Sequence, residues 1–282
     1  MEDRLRALWD FDDLDGTQER LEAQLDLEHS SGRAEVLTQL ARVEGLRADF
    51  DAGERLIEEA EGLAGDDETA RARIDLERGR LRRSSGNAET ALPLFESAYA
   101  MALEAGQHYV ATDAAHMAAL VAGSRERFEA WTQLGLDLAE TSEGAKYWEG
   151  PLLNNLGWEY YETGDFEQAL AAFERALVVR ETQPEKQAPI EIARFAVGKA
   201  LRALDRSGEA IPLLEQAVNW ATSEGAPDGW FHEELAEEYA DIGRHDDACE
   251  QARLAIPLLE TGDTTFAGSE REARLASLAE RG

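Results

Sequence analysis

Small residues recur along this 282-residue chain at intervals that leave few architectures open. Gly53, Ala91, Ala130, Ala169, Ala210 and Ala248 are separated by 38, 39, 39, 41 and 38 positions. Twelve positions ahead of each lies a second series: Ala41, Gly79, Ala118, Gly157, Gly198 and Ala236. Seven positions behind comes a third: Ala60, Ala98, Asp137, Ala176, Ala217 and Ala255. Between the first and third series sits a filler: Ile57, Phe95, Leu134, Phe173, Leu214 and Ala252. Small side chains let two helices approach closely, and larger ones fill the groove beside them. A fixed period means that each copy is one small unit stacked on its neighbours. The pattern predicts six helix pairs joined by short turns. Thr163-Gly164-Asp165, Ser84-Ser85-Gly86-Asn87 and Ile242-Gly243-Arg244 are such turns, with glycine suited to a helix C-terminus.

The clearest copy reads LLNNLGWEYYETGDFEQALAAFERAL, from Leu152 to Leu177. Leu156, Gly157, Tyr160, Ala169, Phe173 and Ala176 stand where the tetratricopeptide repeat has Leu, Gly, Tyr, Ala, Phe and Ala. The chain resembles that family over residues 34–260, most closely in the fourth to sixth units and least in the third, where Asp137 replaces an alanine. The family interval is about 34 residues, so these units are longer by about one helical turn. With the Asn154-Asn155 pair, that length resembles the branch typified by kinesin light chain. The resemblance implies an all-α, right-handed α-solenoid of about six helix pairs, and it specifies fold more firmly than function.

Composition fits one helical solenoid, since units that touch only their neighbours add length without a second core. The domain reading is a capping segment at 1–33, six repeats at 34–260 and a polar tail with a short helix from Ser269 at 261–282. In the first segment a helix is expected from Thr17 as N-cap, through Leu21 and Leu25, ending at Ser30-Ser31-Gly32. Leu5, Leu8, Trp9 and Phe11 would cover the first unit's edge, because an uncovered terminal unit leaves apolar surface in water. Trp9 and Phe11 could instead form a docking patch. The acidic MEDRLRALWDFDD start has no long apolar run, which predicts no signal peptide or membrane anchor. Cys249 is the single cysteine, reads as buried packing, and fits a reduced, cytoplasmic setting.

The net charge is −31, with 59 acidic residues against 28 basic ones. Lys146, Lys186 and Lys199 are the only lysines. A surface so acidic repels phosphate backbones and anionic membranes, which predicts neither nucleic-acid nor membrane partners. Acid-rich, lysine-poor composition suits a salt-adapted organism, where counter-ions screen the self-repulsion. An acidic protein from an arginine-rich genome has the same look.

Function is to be sought on the open face of the solenoid, lined by the first helix of each pair. Helical periodicity places Gln39 and Arg42 there from the first unit, and Arg73, Glu77, Arg80 and Arg83 from the second. The third gives Thr112, Ala115, His116 and Ala119, with Asp113 close by. Asn154, Asn155, Trp158, Tyr161 and Glu162 come from the fourth, and Phe195, Lys199 and Arg202 from the fifth, beside Arg194. The sixth offers Trp230, Glu233, Glu237 and Asp241 beside His232. Bases and aromatics gathered on one face of so acidic a chain suit a bound peptide: amides pair with its backbone, and guanidinium groups grip its carboxylates. The resemblance implies that Asn154 and Asn155 contact a peptide backbone. The peptide-binding set is therefore Arg42, Arg80, His116, Asn154, Asn155, Trp158, Tyr161, Arg194, Lys199 and Arg202. Alternatively, Arg42, Arg80 and Arg202 brace neighbouring helices through Glu44, Glu77 and Asp205.

Catalytic signals are thin. His232-Glu233-Glu234 starts like a zinc-protease helix but lacks the second histidine at the required spacing. Asp113 and His116, three apart on one helix, could hydrogen-bond without becoming a base or a ligand. The chain has no Gly-rich phosphate loop and no nucleophile elbow. The expectation is a non-enzymatic module without cofactor or metal that binds a protein or peptide. Two alternatives stay open: a small-molecule or enzymatic pocket gathering Asp113, His116, Asn155 and Arg194, and a self-associating scaffold.

Overall fold

The computed structural model describes residues 3–182 and 186–280. Helix accounts for 80% of the chain, and no strand occurs among the described residues. The helices are α1 (Leu14–Leu25), α2 (Ser30–Leu46), α3 (Phe50–Ala64), α4 (Glu68–Ser84), α5 (Ala88–Glu104), α6 (His108–Ala119) and α7 (Arg125–Thr141), then α8 (Glu149–Glu162), α9 (Phe166–Thr182), α10 (Gln187–Ala203), α11 (Ser207–Ser223), α12 (Gly229–Asp241), α13 (His245–Gly262) and α14 (Glu270–Ala279). Six of them open on an Asp or Ser whose side chain accepts a free backbone N–H: Asp13, Asp49, Asp67, Ser124, Asp228 and Ser269. Gly86 and Gly164 turn the chain out of α4 and α8 at φ of 88° and 81°, a conformation in which any Cβ is strained.

The chain divides into two compact units, Met1–Leu152 and Leu153–Gly282. In the first, Leu5, Leu21, Leu37, Ala41, Ile57 and Leu81 share one buried cluster, and Ala91, Phe95, Ala98, Ala114 and Ala118 another. In the second, Ala169, Phe173, Ala196, Leu214, Leu235 and Ala248 pack together, and Leu259, Phe266 and Leu275 close the end. The small-residue series supply these clusters. Ala41, Ala118 and Ala236 are fully buried, as are Ala60, Ala98, Ala217 and Ala255.

Size is matched across each helix pair. Gly79 and Gly157 face Phe95 and Phe173, the largest fillers. A Cβ at Gly157 would overlap the Phe173 ring, with even the far ring carbon only 2.9 Å away. At Gly79 the corresponding distance to Phe95 is 3.0 Å. Where the first helix carries alanine, the filler is smaller: Ile57 behind Ala41, and Ala252 behind Ala236. Each fully buried Phe contributes about 1.5–3 kcal/mol through loss of apolar contact with water, so the glycines opposite are held in place by packing.

The third unit departs from the expected register. Ala130, Leu134 and Asp137 all lie on the exposed side of α7. The positions they were expected to fill are taken by Thr132, Leu136 and Ala139, two residues later and all buried. The turn from Leu120 to Ser124 is longer than in other units, which carries α7 forward by two positions. Gly135 also packs closely: a Cβ there would sit 2.8 Å from a Leu152 methyl.

The ends differ in detail as well. Asp13, rather than Thr17, caps α1, and Thr17 lies inside the helix with its hydroxyl on the Asp10 carbonyl at 2.9 Å. Ser30-Ser31-Gly32 opens α2 instead of ending the helix before it. Leu5 is buried in the first unit's core, the covering role expected of it, while Phe11 is 49% exposed. At the other end Ser269 caps α14, whose Ala279 carbonyl accepts from the buried Cys249 thiol at 3.2 Å.

Candidate functional site

In each unit, polar side chains from the first helices of successive pairs meet one another. In the first unit these helices are α2, α4 and α6. Arg42 on α2 lies 3.9 Å from Asp113 on α6. Arg80 on α4 pairs with Glu77 at 3.0 Å and also with Asp113. Glu77 and Asp113 are both buried, so the guanidinium is their main compensation. Burial alone would lower the Arg80 pKa, yet the two carboxylates outweigh it and raise it. His116 packs on Trp148 with centroids 5.2 Å apart, and burial drives its pKa down to about 4, against the pull of Asp113. At neutral pH it is an uncharged ring in an aromatic wall with Tyr109 and Tyr147.

The face of the second unit is built by α8, α10 and α12. Tyr161 on α8 meets Trp158 edge-to-face at 5.7 Å, and Trp158 in turn leans on Phe173 at 5.1 Å. The Lys199 ammonium from α10 lies 5.6 Å from the Tyr161 ring and pairs with Glu234 on α12. Arg202, also on α10, reaches Glu234 at 2.9 Å, Glu237 at 3.0 Å and Asp241 at 3.0 Å. Arg194 binds Glu181 at 3.2 Å and Glu191 one helical turn away. Phe195 stacks on Phe231 at 4.6 Å. Asn154, Asn155, Trp158 and Tyr161 are half-buried, and Trp230 is 43% exposed.

Arg42, Arg80 and His116 therefore gather on the first unit's face, and Asn154, Asn155, Trp158, Tyr161, Arg194, Lys199 and Arg202 on the second's. The bracing partner foreseen for Arg80, Glu77, is present. Those foreseen for Arg42 and Arg202 are replaced: Glu44 goes to Arg47, while Arg42 reaches past α4 to Asp113 on α6 and Arg202 crosses to Glu234 on α12. The acceptors Asp113 and Glu234 organise the two faces, and only their opposite sign among the neighbouring bases hinted at this. Residues 3–11 lie against the first unit's face, rather than over its edge alone. Asp3 pairs with the buried Arg73, and Trp9 Nε1 donates to Gln39 Oε1 at 2.9 Å. Among the described residues no group of three or more His, Cys, Asp or Glu is placed to hold a metal ion, and no helix is long and apolar enough to cross a membrane.

The tetratricopeptide repeat model matches residues 151–183. No curated protein matches the sequence. Among solved structures, BtubC (BKLC) from P. vanneervenii is 19% identical with a TM-score of 0.62, over 79% of this chain and 93% of that one. A Signal Transduction ATPase with Numerous Domains protein with a tetratricopeptide repeat sensor, from Pyrococcus horikoshii, gives 18% and 0.72 over 94% of this chain, which spans 41% of that protein. The apo quorum sensor NprR from B. thuringiensis gives 13% and 0.53, over 88% and 83%. Identities this low show the fold and nothing finer. Residues 151–183 thus carry a tetratricopeptide repeat sequence, in a chain folded as helical repeats of the tetratricopeptide type.

Proposed function

We propose that this protein is a non-catalytic, cytoplasmic interaction module that holds a peptide segment on the face of α8, α10 and α12. Residues 34–260 are the repeat region in this reading, with 1–33 and 261–282 covering its ends. The observation that supports it is the strip of Asn154, Asn155, Trp158 and Tyr161, two amides and two aromatics half-buried on α8. Large aromatics left open on one face are costly in water unless something covers them. Amides next to them can donate to and accept from an extended backbone. Lys199, Arg194 and Arg202 serve first to hold α10 against its neighbours, and offer a peptide's acidic groups only a secondary attraction.

Peptides selected from a random displayed library on the immobilised protein test this. Selected peptides should bind the Asn154→Ala/Asn155→Ala variant about 5- to 150-fold more weakly, as loss of paired polar contacts costs about 1–3 kcal/mol. Glu174→Ala, on the exposed side of α9, should change nothing. Equal affinity for parent and amide variant would overturn the reading.

We also propose that the acid excess is an adaptation to salt. Melting followed by circular dichroism should then move to higher temperature as potassium chloride is raised towards molar levels, because screening relieves repulsion among the acids. A melting temperature flat or falling with salt would leave genome composition as the explanation.

A further inference from the structure

We propose that the first unit's face is a second peptide site, now filled in cis by residues 3–11, and that in trans it takes a partner-protein segment carrying a carboxylate and, six residues later, an indole. This goes beyond the reading for the second unit and rests on different residues. The segment has little structure of its own: a single 3-10 turn at Arg6–Leu8 with three short-range backbone hydrogen bonds. Side chains hold it down instead, as they hold a bound peptide. The Asp3 carboxylate sits on Arg73, which is only 5% exposed and shares its charge with Glu35 at 3.0 Å. Trp9 Nε1 donates to Gln39, itself only 4% exposed, and Arg42 covers Trp9 and Phe11 with its guanidinium 5.0 and 5.3 Å from their ring centres. Arg6 lies 3.6 Å over the Tyr147 ring.

The receiving side chains Gln39, Arg42 and Arg73 are those that helical periodicity turns outward from α2 and α4. Without the segment, Arg73 loses one of its two carboxylates and Gln39 its indole donor, so the vacated face asks for that same chemistry. The fit is close. A cavity bounded by Asp3, Trp9, Gln39, Arg42 and Arg73 measures about 20 Å³, room for about one water. Occupation in cis sets a high effective concentration that a partner has to overcome, which makes the site conditional.

The test uses the full chain and a fluorescein-labelled synthetic peptide of residues 1–13 as probe, read by fluorescence anisotropy. The variant Asp3→Asn/Trp9→Ala weakens the resident segment and should bind the probe at least tenfold more tightly than the parent. A probe carrying Asp3→Asn should lose about tenfold on that variant. Asn154→Ala, on the other unit, should leave probe binding unchanged, so failure here and failure of the second-unit reading are separable. If the double substitution loosens the fold, seen as non-cooperative melting, Asp3→Asn alone keeps Leu5 and Trp9 seated and should still give roughly threefold. A cooperatively folded variant that binds no probe, or binds it no better than the parent, would overturn the proposal. So would a variant that dimerises instead, since that would assign the site to exchange between copies.

Discussion

Gly157→Leu is expected to destabilise the second unit by several kcal/mol and to unfold it at ordinary temperature if its margin is that of a typical domain. Overpacking a well-filled core costs about 1–3 kcal/mol. Here the clash is with the ring of Phe173, itself fully buried and in edge contact with Trp158, so it has no free side to rotate into. Repeat units are stabilised largely by their neighbours, so loss of one interface spreads to the next. Circular dichroism melting would show the loss. Gly157→Ala/Phe173→Leu, which trades ring for methyl as the smaller pairs in this chain do, should recover much of it. A Gly157→Leu protein that melts like the parent would mean that the two helices are not in this contact.

Arg80→Ala is the second large effect. The arginine is the shared counter-ion of Glu77 and Asp113, and both carboxylates stay buried when it is removed. Breaking a buried pair by taking away one partner costs about 3–5 kcal/mol, because a desolvated charge is left uncompensated. Asp113 keeps Arg42 at 3.9 Å, which places the expected loss at the lower end of that range. Arg82→Ala removes a guanidinium that is largely exposed, 3.6 Å from Glu54, and should cost no more than about 1 kcal/mol. Chemical denaturation of both variants checks the contrast. Equal and small losses would show that Arg80 is a surface charge rather than a brace between α4 and α6.

Much of this fold was legible because helix packing leaves a size code. A glycine or alanine twelve positions ahead of another small residue marks where two helices nearly touch, and in five of six units every such position is buried as expected. The third unit escaped the code because a longer turn moved the helix two positions without breaking the overall interval. The intervals on either side absorbed the change, and Asp137 was the one residue that betrayed it. Periodicity alone put Gln39, Arg42 and Arg73 together in the first unit, where they meet residues 3–11, and Tyr161, Lys199 and Arg202 in the second, where Lys199 meets both Tyr161 and the Glu234 that Arg202 holds. Which acid each base would meet was not legible. Such pairs join helices almost 40 residues apart, as Arg202 joins Asp241 and Arg271 joins Glu233, and nothing local distinguishes these acids from the solvated ones. The lodging of residues 3–11 on the first face was hidden for the same reason. A short irregular segment carries no period, so only its apolar residues advertised a contact.

In the proposed function a peptide lies on α8, held by Asn154, Asn155, Trp158 and Tyr161. Site-specific photocrosslinking tests it most directly. A photoreactive phenylalanine analogue placed at Tyr161, and in a second protein at Glu174, is irradiated with a library-selected peptide, and the adducts are weighed by mass spectrometry. A peptide adduct should form at position 161, competed away by unlabelled peptide, and none at position 174. Adducts from position 174 alone, or equally from both, would contradict the proposed function.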